Sequence, residues 1–138
     1  MALREILLDT NSYSAFKRNV PGAVEVIQHA PSIGINGIVL GELLAGFAGG
    51  SRDSENRNEL NIFLASNRVR ILTLDGASAE YYASIVQDLR QRGRPIPTND
   101  IWIAATALQH GLAVFTYDAH FQNVNGLIIG SRLSDLSA

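Results

Sequence analysis

Four acidic side chains in this 138-residue sequence sit where chemistry is easier to explain than surface decoration. Asp9 directly follows the apolar run Ile6-Leu7-Leu8, and Asp118 follows Val114-Phe115-Thr116 with one residue between. In an open parallel sheet, ligands bind outside the carboxyl ends of the strands, so both acids fall at the functional edge. Asp100 opens a helical stretch whose later residues, Ile103, Ala104, Ala105 and Leu108, have the character of a core. Glu42 lies inside Ile38-Val39-Leu40-Gly41-Glu42-Leu43-Leu44, where an unpaired charge is costly. Each acid also has an ordinary reading. Asp9 and Asp118 are residues that favour turns after strands. Asp100 suits the positive end of a helix, and Glu42 fits the rim of an amphipathic helix. Four coincidences at one edge are harder to accept than one.

If the four converge, they repel. Two like charges about 4 Å apart cost roughly 4 kcal/mol at an effective dielectric near 20. Protons or cations must relieve that. The set of four acids offers no histidine or thiolate that would favour zinc, so a hard divalent ion with oxygen ligands, Mg²⁺ or Mn²⁺, is the expected occupant. Such an ion suits phosphoryl chemistry.

Other residues carry weaker signals. Arg90, Arg92 and Arg94 precede the Asp100 segment. They are candidates to grip phosphates, or they simply favour a helix C-terminus. His120 is a candidate for a substrate phosphate contact or a proton donor, against plain packing beside Phe121. His29 and His110 fall at helix ends, as dipole partners. Trp102 reads as packing rather than a base-stacking platform.

The elements that must position these residues alternate between short β-like runs and longer helical ones, which indicates an α/β sandwich with a mostly parallel sheet. Strands are predicted at Glu5–Leu8, Ser32–Ile35, Val69–Leu74, Ala113–Thr116 and Leu127–Ile129. Helices are predicted at Ser12–Arg18, Ala23–His29, Ile38–Phe47, Glu55–Ala65, Ser78–Gln91 and from Thr98 to about Gln109. Pro21-Gly22 reads as a break, Gly93 and Gly111 as helix stops, and Thr98 as a helix cap.

Composition narrows the class. The length is that of one domain, residues 1–138, with no repeat or linker. Hydrophobic residues make up 46% and charged ones 17%, which excludes a disordered chain. Cysteine is absent, which excludes a disulfide framework and a thiolate metal site and fits a reducing cytoplasm. No apolar run reaches membrane-span length, and the opening residues are too short an apolar stretch for a secretory signal. The net charge of -2 gives no global pull toward nucleic acid. The basic residues are lopsided, however, with one lysine, Lys17, in a total of 11, and arginine binds phosphate bidentately.

At four places the residues resemble the PIN-domain proteins, and among them the VapC-like toxins of bacterial and archaeal toxin–antitoxin modules. These are Ile6-Leu7-Leu8-Asp9-Thr10-Asn11, Gly41-Glu42-Leu43-Leu44-Ala45-Gly46, Gly93 to Pro97 with Asn99-Asp100-Ile101-Trp102-Ile103-Ala104-Ala105, and Val114-Phe115-Thr116-Tyr117-Asp118-Ala119-His120-Phe121. The resemblance implies a three-layer sandwich with a central five-stranded sheet flanked by helices. It implies an endoribonuclease using one or two Mg²⁺ or Mn²⁺ ions, usually a homodimer, silenced by a cognate antitoxin whose tail enters the active site. It places metal ligands at Asp9, Asp100 and Asp118, and at Glu42 a second-metal or water-activating acid. Thr10 or Asn11 and Thr116 fall at its small polar positions, where they would orient ligands. Val39 replaces a common threonine, and Tyr117 stands where arginine, asparagine or histidine is usual.

Two rivals remain in view. A phosphatase using Asp9 as nucleophile, of the haloacid-dehalogenase kind, wants a second aspartate where Asn11 stands and a lysine late in the chain. A non-catalytic RNA-binding or interaction module with a relic site would not need the acid set intact.

Overall fold

A computed structural model of the chain describes residues 2–138. Five strands form one sheet: β1 (Ile6–Leu8), β2 (Ile33–Asn36), β3 (Val69–Leu72), β4 (Ala113–Phe115) and β5 (Ile129–Gly130). Their order is β3-β2-β1-β4-β5, and every pairing between them is parallel. β1 and β2 are wholly buried, as is β4, which explains why they read as continuous apolar runs rather than alternating ones.

Helices fill the crossovers. α1 (Thr10–Lys17) and α2 (Pro21–His29) join β1 to β2, and α3 (Gly37–Ala48) and α4 (Asp53–Leu64) join β2 to β3. α5 (Gly76–Gln91) and α6 (Thr98–His110) carry the chain from β3 back across the sheet to β4. Right-handed crossovers moving outward and then back put these two groups of helices on opposite faces, giving three layers. The reversal of direction falls between β1 and β4. That is the topological switch point, where a crevice opens.

The predicted elements are all present, with shifted ends. Pro21-Gly22 does not break the chain but starts α2, since proline is pre-set for the first helical position and its missing N–H costs nothing there. Thr98 does not cap α6. Pro97 holds that position, Thr98 is the first helical residue, and no side chain caps the end. Gly93 and Gly111 do follow helices with φ of 64° and 67°, the left-handed geometry of a helix stop. The last strand is Ile129–Gly130 rather than Leu127–Ile129. Two 3-10 turns, Ala119–Asn123 and Leu133–Leu136, lie in segments with no helical periodicity and were not foreseen.

Asn36 joins the two helical layers. Its Oδ1 accepts the Val39 N–H at 3.0 Å, capping α3. Its Nδ2 donates to Thr106 Oγ1 on α6 at 3.0 Å, and the pair is buried. The helix carrying Glu42 is thereby tied to the helix carrying Asp100. Asn36→Ala removes a cap worth about 1 kcal/mol and a buried partner worth about 1–3 kcal/mol. The expected loss is roughly 2–4 kcal/mol by urea denaturation. A loss below about 0.5 kcal/mol, the scale of a neutral surface change, would show that the tie is not structural.

Candidate active site

The crevice at the switch point is a cleft of about 530 Å³ lined by Asp9, Thr10, Asn11, Glu42, Pro97, Thr98, Asn99, Asp100, Ile103, Asp118 and His120. All four acids singled out from the sequence face it. None of the lining residues is a lysine or arginine.

Asp9 is placed by strand register. Leu8 pairs with Phe115, so the next residues, Asp9 and Thr116, stand side by side at the ends of β1 and β4. Thr116 Oγ1 donates to Asp9 Oδ2 at 2.5 Å. The other oxygen, Oδ1, accepts the Ser12 N–H at 2.8 Å and caps α1, while Ser12 Oγ receives the Asp9 N–H in return. Asp9 therefore both caps α1 and lines the cleft. Thr116 also accepts the Asp118 N–H at 2.9 Å, so one hydroxyl orients two acids.

Glu42 comes from the middle of α3. Its Oε1 accepts from Thr10 Oγ1 at 2.7 Å, and its Oε2 lies 3.4 Å from Asn99 Nδ2. Thr10, the first residue of α1, is thus the hydroxyl that holds Glu42, while Asn11 lines the cleft without a hydrogen bond to any of the acids. Asp100 projects from the first turn of α6.

Burial pushes the Asp9 carboxyl above its ordinary value of 3.8, and the charge of Asp118 adds to this. Hydrogen bonds from Thr116 and Ser12 pull the other way without cancelling it. Asp100 is also raised by burial; His120 offsets part of that, and the charges of Asp118 and Asp9 add to it.

His120, a candidate for substrate contact from the sequence, lines the cleft. Its neighbour Phe121 supplies the packing, with no exposed surface. The His120 ring instead lies against the acids, with Nδ1 3.1 Å from Asp100 Oδ2 and 3.0 Å from Asp118 Oδ1. The acid set therefore does include a histidine. One ligand atom from each of Asp100, Asp118 and His120 lies within 4.8 Å of the others, a spacing that can hold a metal ion. Among the described residues this is the grouping found, and Asp9 stands outside it. The signal was available in the spacing. Asp118 caps the 3-10 turn by accepting the His120 N–H at 2.9 Å, which folds the second residue back over the cap.

The arginines lie elsewhere. Arg92 is bound to Asp88 at 2.6 Å and to the Asn123 carbonyl, and Arg90 lines a separate apolar hollow with Tyr82 and Ile96. Arg94 is exposed, and none of the three lines the cleft. The Trp102 ring stacks on Tyr82 at 4.1 Å between centroids, fastening α6 to α5. Tyr117 is 47% exposed, with its ring edge on Phe115.

The donor set suits a divalent cation: carboxylates held by hydroxyls and an amide, with the His120 imidazole beside two of them, in a cleft lined by no fixed positive charge. Residues 6–127 match the model of the PIN domain family. The chain belongs to the PIN domain family. Among its relatives, Ribonuclease VapC4 of Mycobacterium tuberculosis is 36% identical over 85 residues, covering 62% of this chain and 65% of that protein. Ribonuclease VapC1 of Haemophilus influenzae strain R2866 is 31% identical over 126 residues, covering 88% and 92%. The crystal structure of VapBC2 from Rickettsia felis, bound to a DNA fragment from their promoter, superposes with a TM-score of 0.79 at 26% identity, covering 91% of this chain and 96% of the matched one.

The electrostatics of this PIN domain predict an unusual pH response. A carboxyl whose native value lies above its unfolded one holds its proton more tightly when folded. Its stabilising effect is complete below about 3.8 and is lost as pH rises through the raised native value. The metal-free protein should therefore gain stability as pH is lowered from 7 toward the carboxylate range. Asp9→Asn keeps the cap, because asparagine caps as well as aspartate does. It should raise the metal-free melting temperature at pH 7 and flatten the pH dependence. Calorimetry showing a lower melting temperature for Asp9→Asn at pH 7 would reject this account.

Proposed function

We propose that this chain is a VapC-type endoribonuclease, the toxin of a toxin–antitoxin pair, that hydrolyses RNA phosphodiester bonds with Mg²⁺ or Mn²⁺ bound by the acids of the cleft. The observation that carries the reading is a single cleft in which four carboxylates meet with no lysine or arginine on its walls. Asp100 and Asp118 would hold the ion, with Asp9 beneath them. Such an ion clamps a phosphate and lowers the pKa of a bound water.

The chain's own residues do the rest. Thr116 fixes Asp9, and Thr10 fixes Glu42 with Oε2 turned toward Asn99. In this reading Glu42, whose Oε2 has only the long 3.4 Å contact to Asn99, would orient the attacking water and accept its proton. The first turn of α6 brings Asn99 and Asp100 to the cleft, where helix N–H groups favour an anionic phosphate. The rival phosphatase reading loses ground because both oxygens of Asp9 are engaged, one by Ser12 and one by Thr116. We further propose that the working form is a homodimer held inactive by an antitoxin, in the cytoplasm. No helix among the described residues is long and apolar enough to cross a membrane.

Two tests follow from this reading. Purified protein should cleave RNA in Mg²⁺ or Mn²⁺ and stop on addition of EDTA. Asp100→Asn and Asp118→Asn should each lower the rate roughly 10²-fold or more, the scale of losing a group that acts in the transition state. Glu42→Gln should lower the rate while weakening metal binding less than Asp118→Asn does. Wild-type turnover in either aspartate variant at saturating metal would refute the site. The toxin role is tested separately. Expression alone should arrest growth, and co-expression of the neighbouring small gene should restore it. Harmless expression of an active enzyme in the native host, with that gene deleted, would refute the toxin role and leave the nuclease.

A further inference from the structure

His120 is not needed for the acids to line the cleft, yet its ring lies against two of them. Nδ1 stands 3.1 Å from Asp100 Oδ2 and 3.0 Å from Asp118 Oδ1. A ring nitrogen at that separation from two carboxylates is held there by a shared proton or by a cation that all three touch. Two donors at right angles on an ion with bonds of about 2.1 Å are about 3.0 Å apart. The nitrogen therefore already stands at the spacing of a neighbouring corner in one coordination shell, on both sides. The ring is 49% exposed, so it can turn its lone pair inward without moving the backbone. Phe121, fully buried next to it, anchors the turn that presents it.

We propose that His120 is a nitrogen ligand of the divalent ion and sets the choice of metal, so that the cleft takes Mn²⁺ in preference to Mg²⁺. This rests on the metal-dependent reading above and sharpens it. Mg²⁺ is a small hard ion that favours oxygen and gives up water reluctantly. Imidazole suits first-row transition ions, which accept nitrogen alongside carboxylate. A site of Asp100, Asp118 and His120, with Asp9 close by, is neither an all-oxygen magnesium site nor a thiolate zinc site. The neutral ring coordinates through Nδ1 and keeps its proton on Nε2.

The test reads binding rather than turnover. Pulsed electron paramagnetic resonance of the full chain with one equivalent of Mn²⁺ should show nuclear modulation from a coordinated ¹⁴N. That signal should vanish in His120→Ala. Calorimetric titration should give an Mn²⁺ affinity for the wild type at least about tenfold above that for Mg²⁺. His120→Ala should lower the Mn²⁺ affinity by about tenfold or more and change the Mg²⁺ affinity by less than about threefold. Bound Mn²⁺ without nitrogen coupling in the wild type overturns the proposal, as does coupling that persists in His120→Ala. The wild-type spectrum decides the matter even if the variant folds poorly. Nitrogen-coupled Mn²⁺ in a protein that cleaves no RNA would sink the nuclease reading and uphold this one. RNA cleavage with an all-oxygen Mn²⁺ spectrum would do the reverse.

Discussion

The structure turns on the pairing of β1 with β4. Their register brings Asp9 and Thr116 together at the sheet edge, joined by a buried hydrogen bond. A carboxylate at that depth is expensive to charge, and it is tolerable because each oxygen has a donor. One of those donors is the start of α1. The same side chain that forms the floor of the cleft therefore sets where α1 begins, and α1 in turn positions Thr10 against Glu42. Strand register is passed to a second element, and from there to a third.

The same device recurs along the sheet. Asp9, Asp75 and Asp118 stand beyond the ends of β1, β3 and β4, Asn36 is the last residue of β2, and each accepts an N–H at the start of the helix or turn that follows. Such side chains satisfy donors that the first turn cannot pair internally. Capping therefore does not distinguish an acid of the cleft from an acid elsewhere. Strand order does. β1 and β4 are neighbours at the switch point, so their caps share one crevice, whereas Asp75 lies beyond the outer strand and bonds to Ser78 and Gln109. The turn-forming and functional readings of Asp9 and Asp118 were never alternatives.

What could be read from the residues followed the same logic. Apolar runs and 3.6-residue spacing gave the strands and helices, because burial enforces both. Asp9, Glu42, Asp100 and Asp118 were legible because each adjoins or interrupts an apolar run. Asn36 and Thr106 were not: each is one polar residue among apolar neighbours, and their pairing spans 70 positions. His120 was legible as a candidate for substrate contact, but its closeness to two of the acids was not. A 3-10 turn has no sequence period to betray it, and only the turn brings the ring back over Asp118. Arg90, Arg92 and Arg94 do not line the cleft. Their closeness in sequence to Asp100 suggested closeness in space, but Arg92 is committed to Asp88 on its own helix and to the Asn123 carbonyl.

The placement of a histidine, rather than a lysine or arginine, beside these carboxylates has a physical consequence. A permanent cation at position 120 would relieve the repulsion outright and remove the reason to bind an ion. A cleft lined by acids and no fixed positive charge is left with repulsion when empty, and a divalent ion bound there, as proposed, would recover that energy as affinity. Imidazole leaves the account open. Its Nδ1 lies within 3.1 Å of carboxylate oxygens of both Asp100 and Asp118 and would offer the proposed ion a lone pair. The raised carboxyl of Asp9 points the same way. Instability of the empty site and readiness to take a cation are the same free energy, seen without the ion and with it.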